Sequence, residues 1–189
     1  MSPSLPLPLS SARMRTPNSH PHFTVVYIGN ARVGRIVATA AAQHLTPVTL
    51  ELGGKNPVVV DPRMDDVALT ARRLLWGRFS NAGQICLAPE YVLVPAHFQD
   101  ALVGALKDAY EAFYPGGAGG ARESESFSRI VTEGHARRIK GMLDATGGTV
   151  VCGGETDVER RYVAPTIVRD VKEGDSLLSE CVLVPPRFS

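Results

Sequence analysis

Three short stretches hold residue types from which chemistry can be built. In LELGGKNPVVV, residues 50–60, the carboxylate of Glu51 stands at the end of an apolar run, followed by Gly53, Gly54 and Lys55. Partial solvation at such a strand end raises a carboxyl pKa toward the range useful for a general base. Neutralisation by Lys55, or hydrogen bonds to neighbouring amides, explains the placement equally well. In SNAGQIC, residues 80–86, Cys86 closes a polar turn. A thiol is nucleophilic as its thiolate, which needs partial exposure and positive surroundings such as backbone N–H groups, and a turn of Asn, Gly and Gln supplies them. From local context alone Cys86 also reads as the inert small hydrophobe that a lone cysteine commonly is. In GNARVG, residues 29–34, a strand gives way to a helix whose first N–H groups can face a phosphate. Arg35 and Ile36 stand where a phosphate-cradling loop needs Lys and Ser or Thr, and the GxGxxG spacing is absent, so a sterically required turn is the competing reading.

The elements that must position these residues follow from periodicity. FTVVYIG (23–29) predicts a strand, and Val33, Ile36, Val37, Ala40, Ala41 and Leu45 form one helical stripe that Pro47 ends. VTLEL and NPVVVD predict two buried strands around the Gly53-Gly54 turn, and Asp65 and Asp66 open a helix carrying Val67, Ala71, Leu74, Leu75 and Phe79. YVLVP (91–95) predicts a strand, followed by a helix with Leu102, Leu106, Tyr110 and Phe113. PGGAGGARESES (115–126) reads as a long loop, Thr132 to Thr146 as a helix, TVVCGG as a strand, and RYVAPTIVRDV as an extended run containing Pro165. Strands alternating with helices predict an α/β fold, with residues 91–180 packing best.

Composition narrows the function classes. The 189 residues, 44% of them hydrophobic, suffice for an ordinary core, and 20 Lys and Arg against 19 Asp and Glu leave a charge of +1 that favours neither nucleic acid nor an anionic membrane. Cys86, Cys152 and Cys181 are odd in number and widely spaced, which argues against a disulfide framework and a zinc site, so no metal is expected and a reducing, cytoplasmic setting is. Cys152 reads as core and Cys181 takes no role. His135, Arg137, Arg138 and Lys140 form one exposed helix face, and His44 and His97 read as helix-end residues. Alternating Leu and Pro in the head prevents a signal peptide or membrane span; Arg13 and Arg15 among serines hint at a transit peptide, but five prolines before residue 22 spoil its helix, and residues 1–22 are expected to be disordered.

Taken in order, the three stretches resemble the aldehyde dehydrogenase superfamily. VTLELGGKNPVVVD is similar to the family's glutamate signature, FSNAGQICLAPEYVLV to its cysteine signature, YIGNARVG to its cofactor turn, and RYVAPTIV to a further downstream segment. AAQHLTPVTLELGGK and CLAPEYVLV resemble the class 3, fatty-aldehyde branch. The resemblance covers about residues 23–180. It implies a partial family fold: a head (1–22), the end of a Rossmann-like NAD(P)-binding domain (23–50), an incomplete α/β catalytic domain (51–180) and a divergent tail (181–189).

By the same resemblance, Cys86 is the nucleophile that forms a thioester with the aldehyde carbon, and its backbone N–H is part of the oxyanion hole. Glu51 is the base that activates water, within roughly 7 Å of Cys86, the reach of a base acting through one water. Gly29, Asn30, Gly34, Leu52 and Gly53 line the cofactor, NAD or in some members NADP; Asn30 stands where the family usually has Ser. The implied substrate is a small-molecule aldehyde, aliphatic or aromatic. The family also implies a homo-oligomer, and some full-length relatives are membrane-associated or mitochondrial. The family's first cofactor-domain strands, its oxyanion-hole asparagine and its ribose-binding lysine have no counterpart here, and Glu180 and Cys181 do not match the family's second glutamate motif. Two expectations follow: an aldehyde dehydrogenase, or an inactive fragment that acts by associating with a full-length relative.

Overall fold

The computed structural model describes residues 23–179 and 187–188, so the expectations for the head and for Cys181 lie outside the described residues. The chain divides into two compact units, one ending at Gly53 and the other beginning at Gly54.

The first unit is a β–α–β motif: β1 (Val25–Gly29), α1 (Ala31–Ala42) and β2 (Val48–Leu52). The strands pair in parallel from Val25 opposite Val48 to Gly29 opposite Leu52. Asn30 caps α1, its Oδ1 accepting the Val33 N–H at 3.0 Å, which satisfies one of the donors a helix start leaves unpaired. Gly34 and Ala41 are the buried positions of α1, and a Cβ on Gly34 would lie 3.1 Å from Leu52 Cδ2, so glycine lets the helix approach β2 closely. The expectation that VTLEL is a buried strand is corrected. Only Val48 is even partly buried along β2, because β2 has one strand neighbour in a two-stranded sheet.

The second unit holds β3 (Asn56–Val59), α2 (Val67–Phe79), β4 (Pro89–Leu93), α3 (Ala96–Phe113), α4 (Gly117–Glu123), α5 (Glu133–Ala145), β5 (Thr149–Cys152), β6 (Thr156–Asp157), β7 (Tyr162–Val163), β8 (Ile167–Arg169), α6 (Ser176–Ser179) and β9 (Arg187–Phe188). Its main sheet has the order β3-β4-β9-β8-β5, with β5 antiparallel to β8 and the other neighbours parallel. β6 and β7 pair separately. Asp66, one of the two residues expected to open α2, caps it through the Leu69 N–H at 2.8 Å, and Thr132 caps α5 through the His135 N–H at 3.2 Å. Leu74 and Leu75 of α2 and Leu102 and Leu106 of α3 pack with Val92 of β4 in the larger core, while Ile130, Ile139, Val168 and Leu177 centre a second. β3 is half-buried rather than buried throughout, with Val58 against the core and Val59 76% exposed, the alternation of a strand with one covered face.

The Gly-rich segment departs from its expectation as a loop, since Gly117–Glu123 is helical. The glycines serve packing: a Cβ on Gly120 would sit 2.1 Å from the Pro115 carbonyl oxygen, and Gly116 supplies the left-handed φ of +88° before the helix. The helix is held by the Tyr162 hydroxyl, which donates to the Ala118 carbonyl at 2.6 Å.

Candidate active site

α2 ends at Phe79 and is capped by Ser80, whose hydroxyl donates back to the Trp76 carbonyl at 2.6 Å. The next three residues all turn left-handed: Asn81 (φ 51°), Ala82 (φ 53°) and Gly83 (φ 77°). Such a run is costly for residues with a Cβ and persists where surrounding contacts impose it. Those contacts are specific side-chain bonds, two of them to a distant segment. Gln84 accepts the Val131 N–H at 2.9 Å through Oε1 and donates through Nε2 to the Arg129 carbonyl at 3.0 Å and the Asn81 carbonyl at 3.1 Å. Arg78 is buried at 3% exposure, and its Cζ lies 3.0 Å from where a Cβ on Gly83 would be.

Cys86 follows in a four-residue turn from Ile85 to Ala88, closed by the Ala88 N–H donating to the Ile85 carbonyl at 3.0 Å. The thiol is exposed. Among the described residues no hydrogen bond engages the Cys86 N–H, since the turn's closing bond uses the amide two residues on. The turn is held from β3: Asn56 Nδ2 donates to the Cys86 carbonyl at 2.7 Å and to the Ala88 carbonyl at 3.1 Å. Beside it Lys55 Nζ donates to the Leu177 carbonyl at 3.2 Å and stands 3.8 Å from Oε1 of Glu90, a carboxylate only 2% exposed. Cys152 contrasts with Cys86: it packs against the larger core, and burial pushes its thiol pKa up, with Lys107 offsetting part of the rise.

In the first unit, Gly29, Asn30, Gly34, Leu52 and Gly53 gather around the junction of β1, α1 and β2. Gly29 and Asn30 are exposed where the N–H groups of α1 begin, and the first turn of α1 carries no acidic residue. Tyr27 fills the space beside Gly29, its hydroxyl 2.3 Å from the position a Cβ there would take. Glu51 is on β2, opposite Ile28, and is exposed rather than partly desolvated, because the two-stranded sheet leaves that edge uncovered. It belongs to the first unit and Cys86 to the second.

Sequence reasoning did not single out Asn56, Gln84 or Arg78. Asn56 had a signal, a polar residue opening an apolar strand just before a proline. Gln84 bonds to residues 45 and 47 positions away, a pairing that local pattern cannot reveal.

Comparison with known proteins gives a consistent result. The profile of the aldehyde dehydrogenase family matches residues 18–185. "Aldehyde dehydrogenase family 3 member A2" of Rattus norvegicus is 44% identical over 161 residues, 85% of this chain and 32% of that protein. "Aldehyde dehydrogenase, dimeric NADP-preferring" of Canis lupus familiaris is 42% identical over 161 residues, 85% of this chain and 34% of its own length. The substrate-bound structure of Staphylococcus aureus AldH superposes with a TM-score of 0.79 at 34% identity, covering 87% of this chain and 35% of that one. The chain thus spans about a third of the length of these relatives.

Proposed function

The chain belongs to the aldehyde dehydrogenase family, and from that membership we propose that it carries the thiol centre of an NAD(P)-dependent oxidation of an aldehyde to a carboxylic acid. The observation that carries this reading is the exposed Cys86 in a turn whose carbonyls are tied down from β3 while its own N–H is left for a ligand.

In the proposed reaction the Cys86 thiolate adds to the aldehyde carbon, forming the C–S bond and moving the carbonyl electron pair onto oxygen. The Cys86 N–H stabilises that oxyanion, a fixed donor aimed at developing charge. Loss of hydride from the same carbon leaves a thioester on Cys86. Glu51 then takes a proton from water as the water attacks the thioester carbon, and C–S cleavage releases the carboxylic acid and returns the thiol. Bound NAD or NADP supplies the hydride acceptor. The residues present suit such a dinucleotide: the start of α1, free of acidic side chains and followed by Arg32 and Arg35, favours a diphosphate, and Gly34 keeps the helix close to Leu52. The Canis lupus familiaris relative is NADP-preferring by name, which supports keeping NADP beside NAD as the acceptor. Ile85 and Leu87, 40% and 79% exposed on either side of Cys86, suit an aliphatic or aromatic aldehyde.

Calorimetric titration of the purified chain with NAD and NADP, paired with mass spectrometry of Cys86 after incubation with an aldehyde and cofactor, tests this reading. Binding heat and an acyl adduct on Cys86 support it. An unmodified Cys86 with no binding heat at millimolar cofactor overturns it and favours the second reading, a non-catalytic chain that associates with a full-length relative. What supports that second reading is the two-stranded sheet of the first unit, on which Val26 and Ile28 are 64% and 74% exposed.

A further inference from the structure

We propose that Asn56 is a positioning residue for Cys86, holding the thiol and the backbone N–H beside it in the orientation that acyl transfer needs; this rests on the reading of Cys86 as nucleophile. The direction of a side chain and of its own N–H is set by the two peptide planes that flank the Cα. At Cys86 both planes are pinned. The plane joining Ile85 to Cys86, which carries the Cys86 N–H, is held by the Ala88 N–H on the Ile85 carbonyl at 3.0 Å. The plane joining Cys86 to Leu87 is held by Asn56 Nδ2 on the Cys86 carbonyl at 2.7 Å. The same nitrogen reaches the Ala88 carbonyl at 3.1 Å, so one amide grips the turn at two points.

Asn56 is itself well anchored. Pro57 follows it and confines its backbone to the extended region, which fixes where the side chain starts. Lys55, one residue earlier, is tethered to the Leu177 carbonyl at 3.2 Å. The ladder between β3 and β4 steps from Asn56 opposite Pro89 to Pro57 opposite Tyr91, an irregularity that lies next to the turn Asn56 holds. A hydroxyl at position 56 carries a single donor hydrogen and would not hold both carbonyls. Because nucleophilic attack falls off steeply with misplacement, a loosened turn costs rate even where the thiol keeps its chemistry.

The test uses the 189-residue chain and needs no cofactor. Acylation of Cys86 by p-nitrophenyl acetate passes through an oxyanion and depends on the N–H being aimed; alkylation by iodoacetamide displaces iodide at a saturated carbon and does not. Asn56→Leu removes the donors at nearly constant shape and without adding charge, and Asn56→Ser restores a shorter donor. The expected result is acylation of Cys86 slowed about tenfold in Asn56→Leu, with partial recovery in Asn56→Ser and alkylation little changed. Equal acylation in the parent and Asn56→Leu chains overturns the inference, as does an equal fall in acylation and alkylation. Should Asn56→Leu fail to fold, Asn56→Ser is read by the same ratio, and an unchanged ratio there overturns the inference. A parent chain whose Cys86 takes no acyl group overturns the proposed function itself, and the positioning role with it.

Discussion

The side-chain amide of Gln84 and the backbone of Val131 are joined at 2.9 Å, and the same amide donates to the Arg129 carbonyl at 3.0 Å. A single side chain thus satisfies one donor and one acceptor of the segment leading into α5, and fastens the turn before Cys86 to it. Replacing Gln84 with Ala leaves those backbone groups, exposed at Val131 and part-buried at Arg129, to find water, at a cost of about 0.5–1.5 kcal/mol per bond. Urea unfolding of Gln84→Ala should show a lower midpoint with an unchanged slope, and hydrogen exchange at Val131 should quicken. An unchanged midpoint would show that water replaces the amide without loss.

The left-handed run beside it makes opposite predictions at adjacent positions. Gly83 has φ +77° with Arg78 Cζ 3.0 Å from a would-be Cβ, whereas Ala82 already carries a Cβ at φ 53°. Gly83→Ala should therefore destabilise the chain by about 1–2 kcal/mol, and Ala82→Gly should relieve strain of about the same size, less what is lost in packing. Thermal unfolding reads the two shifts; a Gly83→Ala chain as stable as the parent would contradict a left-handed Gly83 facing Arg78.

How much of this was legible in the sequence depended on the range of the interaction. Asp66 and Thr132 cap helices through bonds three residues long, and both lie where the sequence pattern starts a helix. The polar turn at 80–86 was legible from its residue types. The buried reading of VTLEL failed because an apolar run does not say how many neighbours its strand finds, and β2 finds one. The 115–126 segment failed because glycine's low helix propensity was outweighed by contacts that require its missing Cβ, such as the Pro115 carbonyl against Gly120. Cys86 and Glu51 gained roles from family resemblance. The grip of Asn56 on Cys86 links residues 30 apart and is visible only in the fold.

Asp175 gives a pH prediction. Burial alone would raise its carboxyl, but N–H donors from Leu177 and Gly147 and hydroxyls from Thr146 and Ser176 together hold it below its ordinary value of 3.8. A carboxyl depressed in the folded state contributes stability that is fully present above its unfolded pKa and is lost as pH falls through the folded value. Stability of the parent chain should therefore decline as pH drops below about 4. Asp175→Asn should be less stable at neutral pH and lose less on acidification, measured as denaturant midpoints across that window. Parallel curves would show that other carboxylates dominate.

The two cysteines among the described residues should separate by reactivity. Cys86 is exposed on a turn, while Cys152 packs against the larger core with its thiol pKa pushed up chiefly by burial. The thiolate is the reactive form, so burial slows Cys152 through both access and ionisation. With substoichiometric iodoacetamide near pH 8, peptide mapping should find Cys86 labelled at least about tenfold faster than Cys152. In concentrated urea the difference should collapse, because the unfolded chain exposes both sulfurs to the same solvent. Cys86→Ser should leave the rate at Cys152 unaltered and slow acylation by p-nitrophenyl acetate at position 86. Faster labelling at Cys152 in the folded chain would mean that the turn at residues 85–88 hides the sulfur it is proposed to present.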